Sequence, residues 1–255
     1  MFTTNPFTAL TAFVSPDLMQ GYIVLMALAV TIGTAFDLLH DKKLTFFLQE
    51  RQRTKAAAKQ PLDAAGLAAI AAKTLANDIA TFGEFCNQQR RISHVLMAYG
   101  FVLYLITTVV MVFAYPTDAH PPLALPVLWN IGALMTLVGG YWFFFFLRVN
   151  VAHDGQPPWR LVRADLFIVS LLASVTFALV FEWAAMTGNP VATRVCAGLY
   201  LFFTTLLFVS VPWSKFAHMF YKPVVAFQKR VEEADGSSDL PAPTPGGERC
   251  PHSHT

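Results

Sequence analysis

Five long apolar stretches recur along the chain, Gln20 to Leu39, Ile92 to Ala114, Leu125 to Leu147, Leu166 to Ala185 and Ala192 to Val211. Crossing the roughly 30 Å hydrocarbon core of a bilayer takes about 20 mostly apolar helical residues, and each stretch is long enough. They predict an all-α fold, an integral membrane bundle of five transmembrane helices. Composition agrees, with 55% hydrophobic residues, 13% charged and 23 Phe, and a mean hydropathy of +0.48, well beyond the range of ordinary soluble domains. The first stretch has no basic flank before it and no small-residue cleavage pattern before Asp37. It reads as a retained anchor rather than a removed signal peptide.

Orientation follows from the basic residues, because Lys and Arg loops stay on the cytoplasmic side. Residues 1 to 40 contain none, whereas residues 41 to 91 hold nine, the link between the third and fourth spans three and the stretch after the fifth span five. With the N-terminus outside and the C-terminus inside, 17 of the 18 fall on the inner side, and Arg194 is the exception. The expected location is the bacterial inner membrane. A net charge of +2 gives no reason to expect nucleic acid, since membrane orientation already accounts for the basic residues. Cys86, Cys196 and Cys250 lie too far apart for an iron–sulfur ligand set or a disulfide framework. Cys196 reads as a small apolar residue packed between helices.

The sequence divides into one membrane domain, residues 1 to 230, with a cytoplasmic insert at 41 to 91, and a disordered tail from 231 to 255. Within the insert, Leu62, Leu67, Ile70, Leu75, Ile79, Phe82 and Phe85 recur at helical spacing, and Pro61 can open a helix. This amphipathic helix can lie on membrane lipid or dock a soluble partner; its basic flanks favour the lipid surface. Ser214 to Glu233 forms a second amphipathic stretch, punctuated by Pro212 and Pro223, which predicts a bent interfacial helix. The remainder is rich in Pro, Gly and Ser.

Seven histidines are candidate site residues. His94 opens the second span at its cytoplasmic end and His218 follows the fifth span by seven residues on the same side. Taken singly, either reads as an interfacial histidine, His218 with its ring snorkelling to the surface. As a pair at one membrane depth they match what a low-spin haem requires, two imidazoles facing across a gap. Gly100 could give a flat macrocycle close approach to the second helix, although small residues also serve ordinary helix packing. His40 reads as an interface anchor, with a quinone or propionate contact as the alternative. His153 falls in a cytoplasmic turn, His120 in an outer loop, and His252 and His254 in the tail.

Two segments carry a family resemblance: Arg91-Ile-Ser-His94-Val-Leu-Met-Ala-Tyr-Gly-Phe101, and Val211-Pro-Trp-Ser-Lys-Phe-Ala-His218-Met-Phe-Tyr-Lys-Pro223. They resemble the haem-bearing segments of the cytochrome b (gamma) subunit of respiratory nitrate reductase and of heterodisulfide reductase-type membrane subunits. In those gamma subunits the second helix carries two ligands ten residues apart, and the C-terminal region two more, eighteen apart. The corresponding second pair here is Tyr104 and Tyr200. The resemblance therefore implies one haem b, on the cytoplasmic side, between His94 and His218. It further implies that Tyr104 and Tyr200 face each other, either filling the second haem's space with their rings or lining a quinone pocket; filling is the reading we prefer.

Within that family the chain looks most like the membrane anchor associated with dissimilatory adenylylsulfate reductase of sulfur-oxidising bacteria. The implied function is relay of electrons between a soluble cytoplasmic redox enzyme, such as adenylylsulfate reductase, and the quinone pool. The chain is then the quinone-interacting electron-transfer subunit of an oxidoreductase complex in sulfur metabolism. Arg90, Arg91 and Lys215 are expected to contact the propionates, and His40, Tyr99 and Trp213 the quinone. The alternative is a haem-free structural anchor that holds a soluble cytoplasmic enzyme at the membrane. Sparse buried charge and the lack of a broken-helix repeat disfavour a transporter.

Overall fold

The computed structural model describes residues 3–40, 43–80, 87–118, 120–148, 161, 165–211 and 218–238. Every element among them is helical: a 3-10 segment Pro6–Ala12, then α1 (Pro16–His40), α2 (Lys43–Ala57), α3 (Ala64–Thr74), α4 (Gln88–Ala114), α5 (Ala124–Trp142), α6 (Leu166–Met186), α7 (Pro190–Ser210) and α8 (His218–Asp235). Short π-helical turns extend α3 through Leu75–Ala80 and α5 through Phe143–Leu147. Among the described residues, five segments are long and apolar enough to span a membrane: Pro16–Phe36, Gln88–Ala114, Ala124–Leu147, Leu166–Met186 and Pro190–Ser210. The chain is thus an all-α, multi-pass membrane protein.

Helices α1, α4 and α7 start a few residues earlier than hydropathy places them, whereas α6 starts at Leu166 as expected; at α4 and α7 a polar capping residue opens the helix. Asn87 Oδ1 accepts from the backbone N–H of Gln89 and Arg90 at 2.9 and 3.2 Å, opening α4. Asn189 does the same for Val191 and Ala192, both at 3.1 Å, ahead of Pro190 in the first position of α7. Each cap satisfies donors that no helical carbonyl can reach. Between α6 and α7, Gly188 has φ of 70°, a left-handed conformation that closes a helix and turns the chain back.

By internal contacts the chain forms two compact units, Met1–Gly33 with Ile92–Lys215, and Thr34–Arg91 with Phe216–Thr255. In the first, α4 and α5 touch backbone to backbone. A Cβ added to Gly139 would lie 2.6 Å from Ser93 O and 2.7 Å from Met97 N, and one on Gly132 would lie 2.7 Å from Tyr104 N. Small residues permit this approach, which lipid alone would not drive. Trp129, Met111 and Phe181 are almost fully buried at the centre. Phe7 packs edge-on against Trp129 with ring centroids 5.9 Å apart, so the N-terminal 3-10 segment caps this core. Asn5 anchors it by donating to Tyr115 O at 2.8 Å.

Buried hydroxyls on the spans donate back to carbonyls of their own helices: Thr107 to Leu103 O, Thr136 to Gly132 O and Ser170 to Leu166 O, at 2.7 to 2.8 Å. That satisfies them without water. Large apolar side chains such as Val138, Phe146, Val195 and Phe202 point outward, exposed, as a lipid-facing surface requires. Arg148, at the end of the Phe143–Leu147 turn, forms a buried ion pair with Asp165, the residue before α6, and lies over the Phe144 ring. Arg194, the one basic residue assigned to the outer side, lies 4.9 Å from the Phe13 ring centroid. Cys196 is a free thiol packed partly buried against the core.

In the second unit, α8 packs on α3 and the turn that follows it. The N–H groups of Lys59 and Gln60 bond to Asp235 O at 2.9 and 3.1 Å. Asp63, not Pro61, opens α3: its carboxylate accepts from Gly66 N at 2.8 Å. Among the described residues between α1 and α4 there are two helices, α2 and α3, where a single amphipathic one is expected. Helix α8 continues to Asp235, past the expected start of the tail at residue 231, and residues 239–255 lie outside the described residues.

Candidate functional site

His94 lies in the second turn of α4, half-buried. Its neighbour Ser93 is fully buried and its carbonyl stands against Gly139, so the backbone carrying the imidazole is fixed by the α4–α5 crossing. Arg90 is exposed and Arg91 half-buried on the same helix. Tyr99 is 46% exposed. His218 is the first residue of α8 and His40 the last of α1, but both side chains lie outside the described residues. Trp213 and Lys215 lie outside them altogether. No group of three or more His, Cys, Asp or Glu that could hold a metal ion occurs among the described residues; a bis-imidazole haem needs only two ligands.

Gly100 has another use than the one anticipated from its spacing to His94. A Cβ there would meet Thr136 N at 2.6 Å and Gly132 O at 2.8 Å. Its space is taken by the α5 backbone, and it serves helix packing rather than a macrocycle.

Tyr104 and Tyr200 come together. The Tyr104 hydroxyl donates to the Tyr200 hydroxyl at 3.0 Å, and each residue is 5% exposed. Aromatic neighbours hold both rings: Tyr104 lies 5.2 Å from Trp129, and Tyr200 stacks on Phe181 at 6.4 Å with 10° between planes. The two rings fill part of the interior and also form part of the wall of a cavity of about 600 Å³. The cavity lies between α1 on one side and α4 and α7 on the other, with the N-terminal segment at one end.

Its polar wall groups are engaged with one another, with neighbouring side chains or with helix carbonyls. The Tyr22 hydroxyl is 2.9 Å from Thr205 Oγ1, Ser174 Oγ is 2.7 Å from Thr204 Oγ1, and Thr108 Oγ1 accepts from Trp129 Nε1 at 2.9 Å while donating to Tyr104 O at 2.8 Å. Thr31 donates to Ala27 O at 2.9 Å. What remains facing the cavity is almost wholly hydrocarbon.

Sequence reasoning passed over Tyr22, Asn130 and this cavity. Two of them had a signal: polar side chains inside a membrane span rarely lack a purpose. Asn130, fully buried, donates to Glu182 Oε1 at 3.1 Å and to Pro126 O at 3.0 Å. Glu182 is likewise 1% exposed, a carboxyl set inside the bundle near the end of α6. The cavity itself had no signature in the sequence, since it depends on how far α1 stands from its neighbours. No protein-family model matches the chain, and neither does any curated protein or solved structure.

Proposed function

We propose that this protein is the membrane electron-transfer subunit of an oxidoreductase complex. It exchanges electrons between a soluble cytoplasmic redox enzyme and the quinone pool through one b-type haem held by His94 and His218. The proposed setting is the bacterial inner membrane with the N-terminus outside, and the proposed partner is a redox enzyme such as adenylylsulfate reductase in sulfur metabolism. When bound, the haem would supply one-electron chemistry at a potential tuned by its ligands and surroundings. The chain would contribute two imidazoles, with Arg90, Arg91 and Lys215 as cations for the propionates, and His40, Tyr99 and Trp213 as hydrogen-bonding groups for the quinone.

The observation that carries this reading is the Tyr104–Tyr200 contact. The resemblance to cytochrome b subunits pairs two positions on the second span with two in the C-terminal region. For the one pair whose side chains are both described, α4 and α7 bring the residues into direct contact. Nothing in hydropathy alone requires that meeting. The fixed backbone at His94 adds support, because axial ligands need a defined orientation.

A dithionite-reduced minus oxidised spectrum of the purified protein tests the proposal. A b-type alpha band that disappears in both His94→Ala and His218→Ala supports it. A wild-type protein with no such band, after expression with ample haem, leaves the structural anchor as the function.

A further inference from the structure

We infer that the cavity beside α1 is a binding site for one membrane phospholipid, with an acyl chain inside the cavity and the phosphate on Arg194. The cavity has the shape for a chain. Its wall runs from Leu18 to Thr31 on α1, from Phe101 to Val112 on α4 and from Tyr200 to Phe208 on α7. At a rise of about 1.5 Å per residue the longest wall spans roughly 20 Å, about two thirds of the hydrocarbon thickness of a bilayer.

Its chemistry selects hydrocarbon. The hydroxyls of Tyr22, Tyr104, Ser174, Tyr200 and Thr204 already bond within the protein, so an occupant needs no polar atom inside. Water gains too few partners in so apolar a space to fill it. Left empty, 600 Å³ would deny the wall its dispersion contacts. Helix α1 is poorly covered by protein, with only 11% of its span buried, so a chain lodged against it completes its packing.

A charge marks one end. Val14 and Leu18 line the cavity, and the adjoining Phe13 ring lies under the guanidinium of Arg194 at 4.9 Å. Arg194 is exposed and is the single basic residue that breaks the charge asymmetry of the chain. A fork of N–H donors held over an aromatic ring suits a phosphate at that end. This site is independent of the haem.

The test uses the full-length protein purified in mild detergent after incubation with phosphatidylglycerol bearing a photoactivatable group on one acyl chain. The expected result is one retained lipid per chain by native mass spectrometry, with labelling on peptides around Ala27, Leu105 and Phe208. Ala27→Phe, which fills the cavity without opening a void, should abolish retention. Arg194→Gln should weaken it about tenfold, the effect of losing one charge-assisted hydrogen bond, and Arg194→Lys should recover part of the loss. The haem spectrum of these variants should not change. The inference is overturned if the cavity peptides are labelled no more than the lipid-facing α5 surface at Leu134 and Val138. It is equally overturned if Ala27→Phe and Arg194→Gln both leave retention unchanged, or if a polyprenyl quinone displaces the lipid and abolishes labelling of the cavity peptides.

Discussion

Gly132→Ala and Gly198→Ala should change stability in opposite directions. An alanine Cβ at position 132 would lie 2.7 Å from Tyr104 N, 2.8 Å from Gly100 O and 3.1 Å from Tyr104 Cα. All three are backbone atoms of α4, so no side-chain rotation relieves the clash. Ordinary contact begins at 3.4 Å, and 3.4 minus 2.7 means that α4 and α5 must separate by about 0.7 Å. A gap of roughly 0.5–1 Å forfeits a quarter to a half of a well of about 0.1–0.2 kcal/mol for each atom pair. Taken over about 40 such pairs, as many as one buried Leu side chain makes, the loss is about 2 kcal/mol. Replacing glycine by alanine inside a helix returns about 1 kcal/mol, so the net effect at 132 is a destabilisation of about 1 kcal/mol.

At Gly198 on α7 nothing lies within 4 Å of the added atom. Only the helix-propensity gain remains there, and the protein should become more stable by up to about 1 kcal/mol. Reversible unfolding in mixed micelles with increasing dodecyl sulfate, followed by circular dichroism, measures both. If Gly132→Ala is as stable as Gly198→Ala, the close crossing of α4 and α5 is wrong, and with it the account of Gly100 and of the fixed backbone at His94.

Removing either phenol of the buried pair strands the other. Tyr104→Phe and Tyr200→Phe should each cost about 1 kcal/mol, while the double variant costs clearly less than the two losses added, because the hydrogen bond is lost only once; a strictly additive double-mutant cycle in the same unfolding assay would refute their interaction. The Arg148–Asp165 pair is buried on both sides. Asp165→Ala should therefore destabilise by about 3–5 kcal/mol through the uncompensated guanidinium, and Arg148→Leu with Asp165→Leu together should restore most of it. Loss of no more than a few tenths of a kcal/mol in Asp165→Ala would mean that the pair is open to water.

Much of the fold was legible because its signals are local. Twenty-residue apolar runs gave the spans, and the structure moves their ends by only a few residues, through caps such as Asn87 and Asn189 that hydropathy scales do not count. The meeting of Tyr104 with Tyr200 was legible only through the resemblance, since residues 96 apart in sequence leave no periodic trace. Gly100 was ambiguous for a physical reason: a macrocycle and a neighbouring helix both demand a missing side chain. The 3-10 segment that seats Phe7 on Trp129 escaped notice because it is too short to show a period. Helix α2 escaped for a different reason: its polar, weakly patterned sequence Lys43–Ala57 carries no apolar stripe to read. The cavity depends on the separation of whole helices, a quantity no single residue encodes.

The proposed electron relay stands on the number of haems each chain holds. A pyridine haemochrome assay against protein mass, made on chain purified from membranes with haem in excess, should give one b-type haem per chain, and low-temperature paramagnetic resonance should show a single low-spin bis-imidazole species. A ratio near zero, or a ratio of two with a second low-spin signal, would contradict the assignment of His94 and His218 as one ligand pair beside a tyrosine pair.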